Sequence, residues 1–141
     1  MSETLKNIAR WIVLLPAALA GAVAARAVIV LVNRFTMSSD WSFTNADGFL
    51  GRVWLTWVGG AFMGAAGVWI AYYVAPCHRR ISASAMGAIW LMLAGAALFL
   101  SIVTSNGWAI WDSIALVVGA VAMVVTVWTD DTFVNKDPSM Y

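Results

Sequence analysis

The sequence predicts an all-α integral membrane protein, folded as an antiparallel bundle of four transmembrane helices. Of the 141 residues, 62% are hydrophobic and only 11% are charged. Nearly all of the hydrophobic residues fall into four runs, and each run has about the 20 residues that a helix needs to cross a hydrocarbon core of about 30 Å. The runs cover about 11–32, 53–75, 84–103 and 109–128.

The remaining segments are too short to form a second domain. They are an N-terminal segment, an outer connection over 33–52, two tight hairpins and a cytoplasmic tail over 129–141. A net charge of +1 without a long Lys/Arg block does not indicate nucleic-acid binding. We therefore expect a single membrane domain over 1–141, whose partners are the lipid bilayer and other membrane subunits or further copies of itself.

The first run is predicted to be a spanning helix rather than a cleaved signal peptide. Basic residues precede it, and the segments 18–20 and 22–24 have the A-x-A form of a cleavage site. The apolar residues nevertheless resume after Arg26, which makes the run too long for a signal peptide. Pro16 either kinks this helix or marks the position near which it begins.

Turn-forming residues separate the other three runs. Pro76 is expected to end the second helix because proline lacks the backbone N–H of a helix interior. Asn106 and Gly107 form a strong turn signal between the third and fourth helices. A capping-box pattern at 44–47 predicts that the second helix begins before the membrane. Helices two, three and four should therefore be antiparallel neighbours.

Basic residues predict that both termini are cytoplasmic, because short loops rich in Lys and Arg stay on the cytoplasmic side. Lys6 and Arg10 lie beside the first helix, and His78, Arg79 and Arg80 lie between the second and third. Four alternating helices place both groups on one side. The lack of an N-x-S/T sequon in the sequence agrees with a bacterial source, so we expect the bacterial inner membrane.

Aromatic residues indicate the same topology, since Trp and Tyr favour the headgroup level on both sides of a bilayer. Trp69 and Trp90 lie deeper, where they could pack together, and we interpret them as lipid-facing or space-filling residues. The interface aromatics are Trp54, Trp57, Trp108 and Trp111 at the outer level, and Trp11, Tyr72, Tyr73 and Trp128 at the cytoplasmic level.

Small residues at four-residue spacing predict where helices approach closely, because packing in lipid depends on close contact. These surfaces either pack within the bundle or contact another subunit or a second copy. The clearest set is Gly60, Gly64 and Gly67 on the second helix, a comparable set is Ala17, Gly21 and Ala25 on the first, and a weaker one is Ala115 with Gly119 on the fourth.

Two ionisable residues fall within the predicted spans. At 1.5 Å per residue, Arg26 lies roughly 10 Å below the outer end of the first helix, and Asp112 roughly 6 Å below the outer start of the fourth. Pairing would relieve two desolvation penalties at once, so we predict an intramembrane ion pair. Alternatively, Arg26 extends to lipid phosphates and the helix dipole stabilises Asp112.

The sequence predicts no catalytic residue, cofactor or metal site. A transmembrane haem commonly uses two His ligands, whereas His78 is the single histidine. Cys77 is the single cysteine, which excludes an internal disulfide and leaves a Cys-based zinc site without partners. The protein is therefore not expected to be an enzyme.

The leading functional interpretation is a non-catalytic accessory or assembly subunit of a larger membrane complex. Its contacts would be the small-residue face of the second helix, the outer connection and the tail. The alternative is a small oligomeric transporter or channel in which Arg26 and Asp112 lie near the solute path. Aromatic and apolar recognition candidates are Trp41, Phe43 and Phe49 in the outer connection, and Phe133, Met140 and Tyr141 in the tail.

Overall fold

The computed structural model describes residues 3–36, 48–76 and 78–130, and every regular element in these ranges is helical. Four of the helices are long and apolar enough to cross a membrane, which confirms the prediction of an all-helical integral membrane protein. They are α1 (Glu3–Thr36), α2 (Phe49–Val74), α3 (Arg79–Val103) and α4 (Gly107–Thr129).

The first helix, α1, is longer than the predicted span of 11–32. It runs from Glu3 to Thr36, because the polar residues on both sides of the apolar run continue the same helix. Pro16 lies inside α1, so the alternative that the helix begins near this proline is wrong. At the other end, the Thr36 hydroxyl donates to the Val32 carbonyl at 2.7 Å, which is the i−4 bond that threonine often forms within a helix.

The second helix, α2, is not a uniform α-helix. Its two α-helical parts, Phe49–Trp54 and Gly60–Val74, are joined by a π-helical segment, Leu55–Gly59. It begins at Phe49, before the predicted position 53. Gly48 precedes it with an extended backbone and has no side chain that could cap the helix. The capping-box pattern at 44–47 lies outside the described residues. Single π-helical turns inside α-helices occur frequently at functional sites.

The third helix, α3, begins at Arg79 rather than at the predicted position 84. His78 reverses the chain here, since its backbone is left-handed with φ 49° and ψ 46°. The Ser82 hydroxyl then donates to the His78 carbonyl at 3.3 Å. The polar residues after the turn therefore belong to the helix, which shortens the hairpin between α2 and α3.

The fourth helix, α4, begins at Gly107, two residues before the predicted position 109. The side-chain oxygen of Asn106 accepts a hydrogen bond from the Ala109 N–H at 3.3 Å, so Asn106 caps α4. We call this end of the molecule the Asn106 end, and the opposite end, with the turn between α2 and α3, the His78 end.

The central helix of the packing is α2, which contacts all three others. α1 packs chiefly on α2, whereas α3 and α4 also pack on each other. Gly21 of α1 faces Ile70 and Arg26 contacts Met63, so α1 and α2 run in opposite directions.

All four helices contribute to the buried core. Its largest fully buried apolar side chains are Tyr72 and Met86, and most of its members lie in the half of the molecule nearer the His78 end. The core residues are Leu14, Ala18, Ala22, Val68, Ala71, Tyr72, Ala75, Ala83, Met86, Trp90, Ala120 and Val127.

Candidate functional site

Arg26 of α1 and Asp112 of α4 form an ion pair. The Arg26 Nη1 atom lies 2.8 Å from the Asp112 Oδ2 atom. Both side chains keep a similar accessible fraction, 37% for Arg26 and 28% for Asp112. Because α1 packs chiefly on α2, this pair is a direct polar connection between α1 and α4.

Gly60 of α2 makes room for the ion pair, and Gly59 is in ordinary van der Waals contact with it. A Cβ atom on Gly60 would lie 2.9 Å from the Asp112 carbonyl oxygen and 3.1 Å from its Oδ1 atom. A Cβ atom on Gly59 would lie 4.0 Å from Cγ of Arg26. Gly59 is the last residue of the π-helical segment, so this irregular turn of α2 ends at the level of the pair.

One oxygen of the carboxylate has no hydrogen-bond partner in the part of the chain that the structure describes. Asp112 Oδ1 is buried there without a donor, while Arg26 Nη1 also lies 3.9 Å from the weakly accepting Sδ atom of Met63. An unpartnered carboxylate oxygen retains its desolvation cost. Asp112 therefore keeps one unused acceptor, which the surrounding atoms enclose.

Asn33 is a second buried polar group, on the same face of α1 as Arg26. It is 1% exposed, and within the described ranges neither its amide nitrogen nor its amide oxygen has a hydrogen-bond partner. It follows Arg26 by seven residues, or about two helical turns. Asn33 was not predicted as a site residue, because the predicted first span ends at 32 and leaves this position in the outer connection.

The small residues of α2 pack against α4 of the same chain. A Cβ atom on Gly64 would lie 2.8 Å from the Ala120 backbone nitrogen. A Cβ atom on Gly119 would lie 2.6 Å from both the Cα and the carbonyl carbon of Ala61, and Gly60 approaches Ala115 in the same way. The chain therefore fills this face of α2 with its own helix, and the face is not available to a separate subunit.

Gly67 faces Trp90 of α3 rather than α4. A Cβ atom on Gly67 would overlap the Nε1 atom of the Trp90 indole and lie 2.7 Å from its Cε2 atom. Trp90 is 3% exposed, and its indole N–H has no acceptor among the described residues. Trp69 is exposed and packs edge-on against Tyr73, with 5.1 Å between ring centroids. Trp69 and Trp90 therefore do not pack together.

We expect Gly67→Ala to lower the folding stability by about 1–3 kcal/mol, because the new methyl group overlaps the indole. Adding Trp90→Phe should restore most of this loss, since the smaller phenyl ring frees space and removes the unpartnered N–H. Equilibrium unfolding in mixed detergent micelles, followed by tryptophan fluorescence, measures both effects. A double variant no more stable than Gly67→Ala would show that Gly67 is needed for another reason.

On α1, the small residues that are fully buried lie one position from those selected in the sequence. Ala18 and Ala22 are inaccessible, whereas Ala17, Gly21 and Ala25 are partly buried. Gly21 still approaches α2, since a Cβ atom there would overlap Ile70. Ala25 lies beside a shallow groove formed with Phe62, Ala65, Ala66, Trp69 and Met123.

The aromatic residues at the Asn106 end connect α2 with α4. The rings of Trp57 and Trp111 lie 5.5 Å apart, and those of Phe49 and Trp108 lie 6.0 Å apart. Trp54 is also accessible at this end. These residues border an open groove between the starts of the two helices.

At the His78 end, Trp11, Tyr73 and Trp128 are each about half exposed, whereas Tyr72 is fully buried. The guanidinium carbon of Arg79 lies 5.9 Å from the centre of the Tyr72 ring. In the three described ranges, no group of three His, Cys, Asp or Glu side chains could hold a metal ion. Cys77, most of the outer connection and the tail from residue 131 onwards lie outside those ranges.

The chain matches no protein-family model, and neither a curated protein nor a solved structure matches it.

Proposed function

We propose that the protein is a non-catalytic accessory or assembly subunit of a larger membrane complex, and that α1 provides its main contact with the partner. We also propose an antiparallel four-helix bundle in the bacterial inner membrane, with both termini cytoplasmic. This orientation is supported by the three basic residues His78, Arg79 and Arg80 at one turn, because short basic loops are retained in the cytoplasm.

The observation that carries this proposal is a second row of small residues on α1. Ala20, Ala24 and Ala27 are exposed and follow the i, i+4, i+7 spacing of one helix face. This face is opposite the one that buries Ala18 and Ala22. Small residues allow another transmembrane helix to approach closely.

The one-sided packing of α1 supports the same proposal. Its spanning window is 17% buried, compared with 28–33% for the windows of α2, α3 and α4. The other face is therefore free to bind a helix from outside the chain, and we assign it to a transmembrane helix of a different membrane protein. The outer connection and the tail remain additional contact candidates.

The experiment is the recovery of the tagged protein from native membranes in mild detergent, followed by native mass measurement and identification of the co-purifying subunits. We expect a stoichiometric foreign subunit with the unmodified chain and little of it with Ala24→Leu, because the larger side chain separates the two helices. Val23→Leu is the matched control, since Val23 is 60% exposed and lies beside the alanine row.

Equal recovery of the partner with Ala24→Leu would contradict the assignment to α1. A homo-oligomer without foreign subunits would contradict the accessory function itself. Both variants must remain monodisperse in detergent, so that a lost contact is distinguished from a lost fold.

The second candidate function is a small oligomeric transporter or channel. It is favoured by the unpartnered Oδ1 atom of Asp112 beside Arg26, because ionisable residues within membrane spans often lie on solute or proton paths. Asp112→Asn in a liposome flux assay separates the two functions. A flux that this substitution abolishes supports transport, whereas the accessory function predicts that the unmodified chain conducts no flux.

A further inference from the structure

Arg80, in the first turn of α3, is a buried arginine. It is 7% exposed, and its buried Nε and Nη2 atoms have no hydrogen-bond partner among the described residues. Within the part of the chain that the structure describes, Arg80 forms no ion pair. A guanidinium group has five N–H donors and stays charged, so burial without an acceptor is costly.

Arg80 is connected to Trp128 of α4 in two ways, through Ser84 and through a direct contact with the Trp128 ring. The Trp128 indole N–H donates to the Ser84 hydroxyl at 3.0 Å, and that hydroxyl donates to the Arg80 carbonyl at 3.0 Å. The Trp128 ring in turn lies 5.4 Å from the Arg80 guanidinium carbon. This cation–π contact holds the guanidinium but provides no hydrogen-bond acceptor.

The surroundings of Arg80 favour an anion. The first backbone N–H groups of α3 lie at the same level, and no side chain caps them at His78. A helix N-terminus attracts negative charge. The half-exposed Trp128 is the residue type that marks the headgroup level of a bilayer.

We propose that Arg80, framed by Ser84 and Trp128, binds a phosphate oxyanion at the membrane surface. The Nε and Nη2 atoms are buried, so the anion approaches at Nη1, the remaining guanidinium nitrogen. The phosphate is supplied either by a phospholipid headgroup or by free phosphate, and planar guanidinium groups bind both with paired hydrogen bonds. This site is independent of the proposed partner contact on α1.

The test compares lipids retained by the purified full chain in native mass spectrometry. The protein is taken from nanodiscs that contain equal amounts of phosphatidylglycerol and a phosphate-free galactolipid with the same acyl chains. We expect preferential retention of phosphatidylglycerol, reduced about tenfold by Arg80→Gln because a charge-assisted hydrogen bond is lost. Arg52→Gln, which removes an exposed arginine near the other end, should retain the lipid.

Adding inorganic phosphate distinguishes a phospholipid headgroup from free phosphate as the source of the anion. Retention that survives millimolar inorganic phosphate identifies a lipid, whereas thermal stabilisation by inorganic phosphate, lost in Arg80→Gln, identifies the free anion. Equal retention of both lipids by the unmodified chain, without stabilisation by phosphate, would overturn the proposal whether or not Arg80→Gln folds. A lipid preference that appears only after removal of 131–141 would also overturn it, because the acidic tail would then occupy the site.

Discussion

Replacing Asp112 by Ala is expected to lower the folding stability by about 3 kcal/mol. The substitution leaves the charge of Arg26 without its partner at 2.8 Å, and breaking a buried ion pair costs about 3–5 kcal/mol. We take the lower end of that range because both side chains remain partly accessible. The measurement is equilibrium unfolding in mixed detergent micelles, followed by the fluorescence of the nine tryptophans.

The double variant Asp112→Ala, Arg26→Met should recover most of this loss, since no unpaired charge remains. Arg52→Met is the matched control, because Arg52 is exposed and surface substitutions usually change stability by less than about 0.5 kcal/mol. If the effects of the two single substitutions simply add in the double variant, the ion pair does not stabilise the fold.

Gly119→Ala is expected to destabilise the protein by about 3 kcal/mol or more. The new methyl group would lie 2.6 Å from the Cα and carbonyl carbon of Ala61, and backbone atoms cannot rotate away as a side chain can. α2 and α4 must therefore separate, which is more costly than ordinary overpacking. This loss exceeds the gain of about 1 kcal/mol in helix propensity from Gly to Ala.

Gly95→Ala is the matched control for this prediction. It is also a helical glycine, but a Cβ atom there would meet nothing within 4 Å. We expect unchanged stability or a gain of up to about 1 kcal/mol. Similar losses for the two variants would indicate that glycine is required for a reason other than the close contact between α2 and α4.

Sequence reasoning identified Arg26 and Asp112 as candidates because their depths along two helices could be calculated from the helical rise. The distance between their side chains depends on more than depth. Gly60 of α2 allows the Asp112 backbone to approach, and Met63 contacts the guanidinium from the same helix. These neighbours come from a third helix, so no spacing within α1 or α4 could predict them.

The contact between Arg80 and Trp128 at the His78 end had no sequence signal of this kind. Arg80 and Trp128 were selected separately, as a basic residue and as an interface aromatic, and they are 48 positions apart. The π-helical segment Leu55–Gly59 was also missed. Its residues resemble those of an ordinary membrane helix, and the extra residue in the turn is visible only in the backbone.

The helical content and the number of spanning helices could be predicted from the sequence alone. Both depend on the length and hydrophobicity of continuous runs, which are local properties of the chain. Small-residue spacing also indicated close approach for Gly60 and Gly64. It could not identify the approaching helix, because a repeat of four defines a face and not the neighbour of that face.

Which helix faces meet depends on the packing of the whole chain. A shift of one residue turns a helix position by about 100°, so the choice between Ala17 and Ala18 as the buried position of α1 depends on how α1 lies on α2. The same packing paired α2 with α4 through Gly64 and Gly119, and it brought Arg26 to Asp112. Close packing couples distant segments through the shapes of their surfaces, and these shapes exist only after the helices have formed and associated.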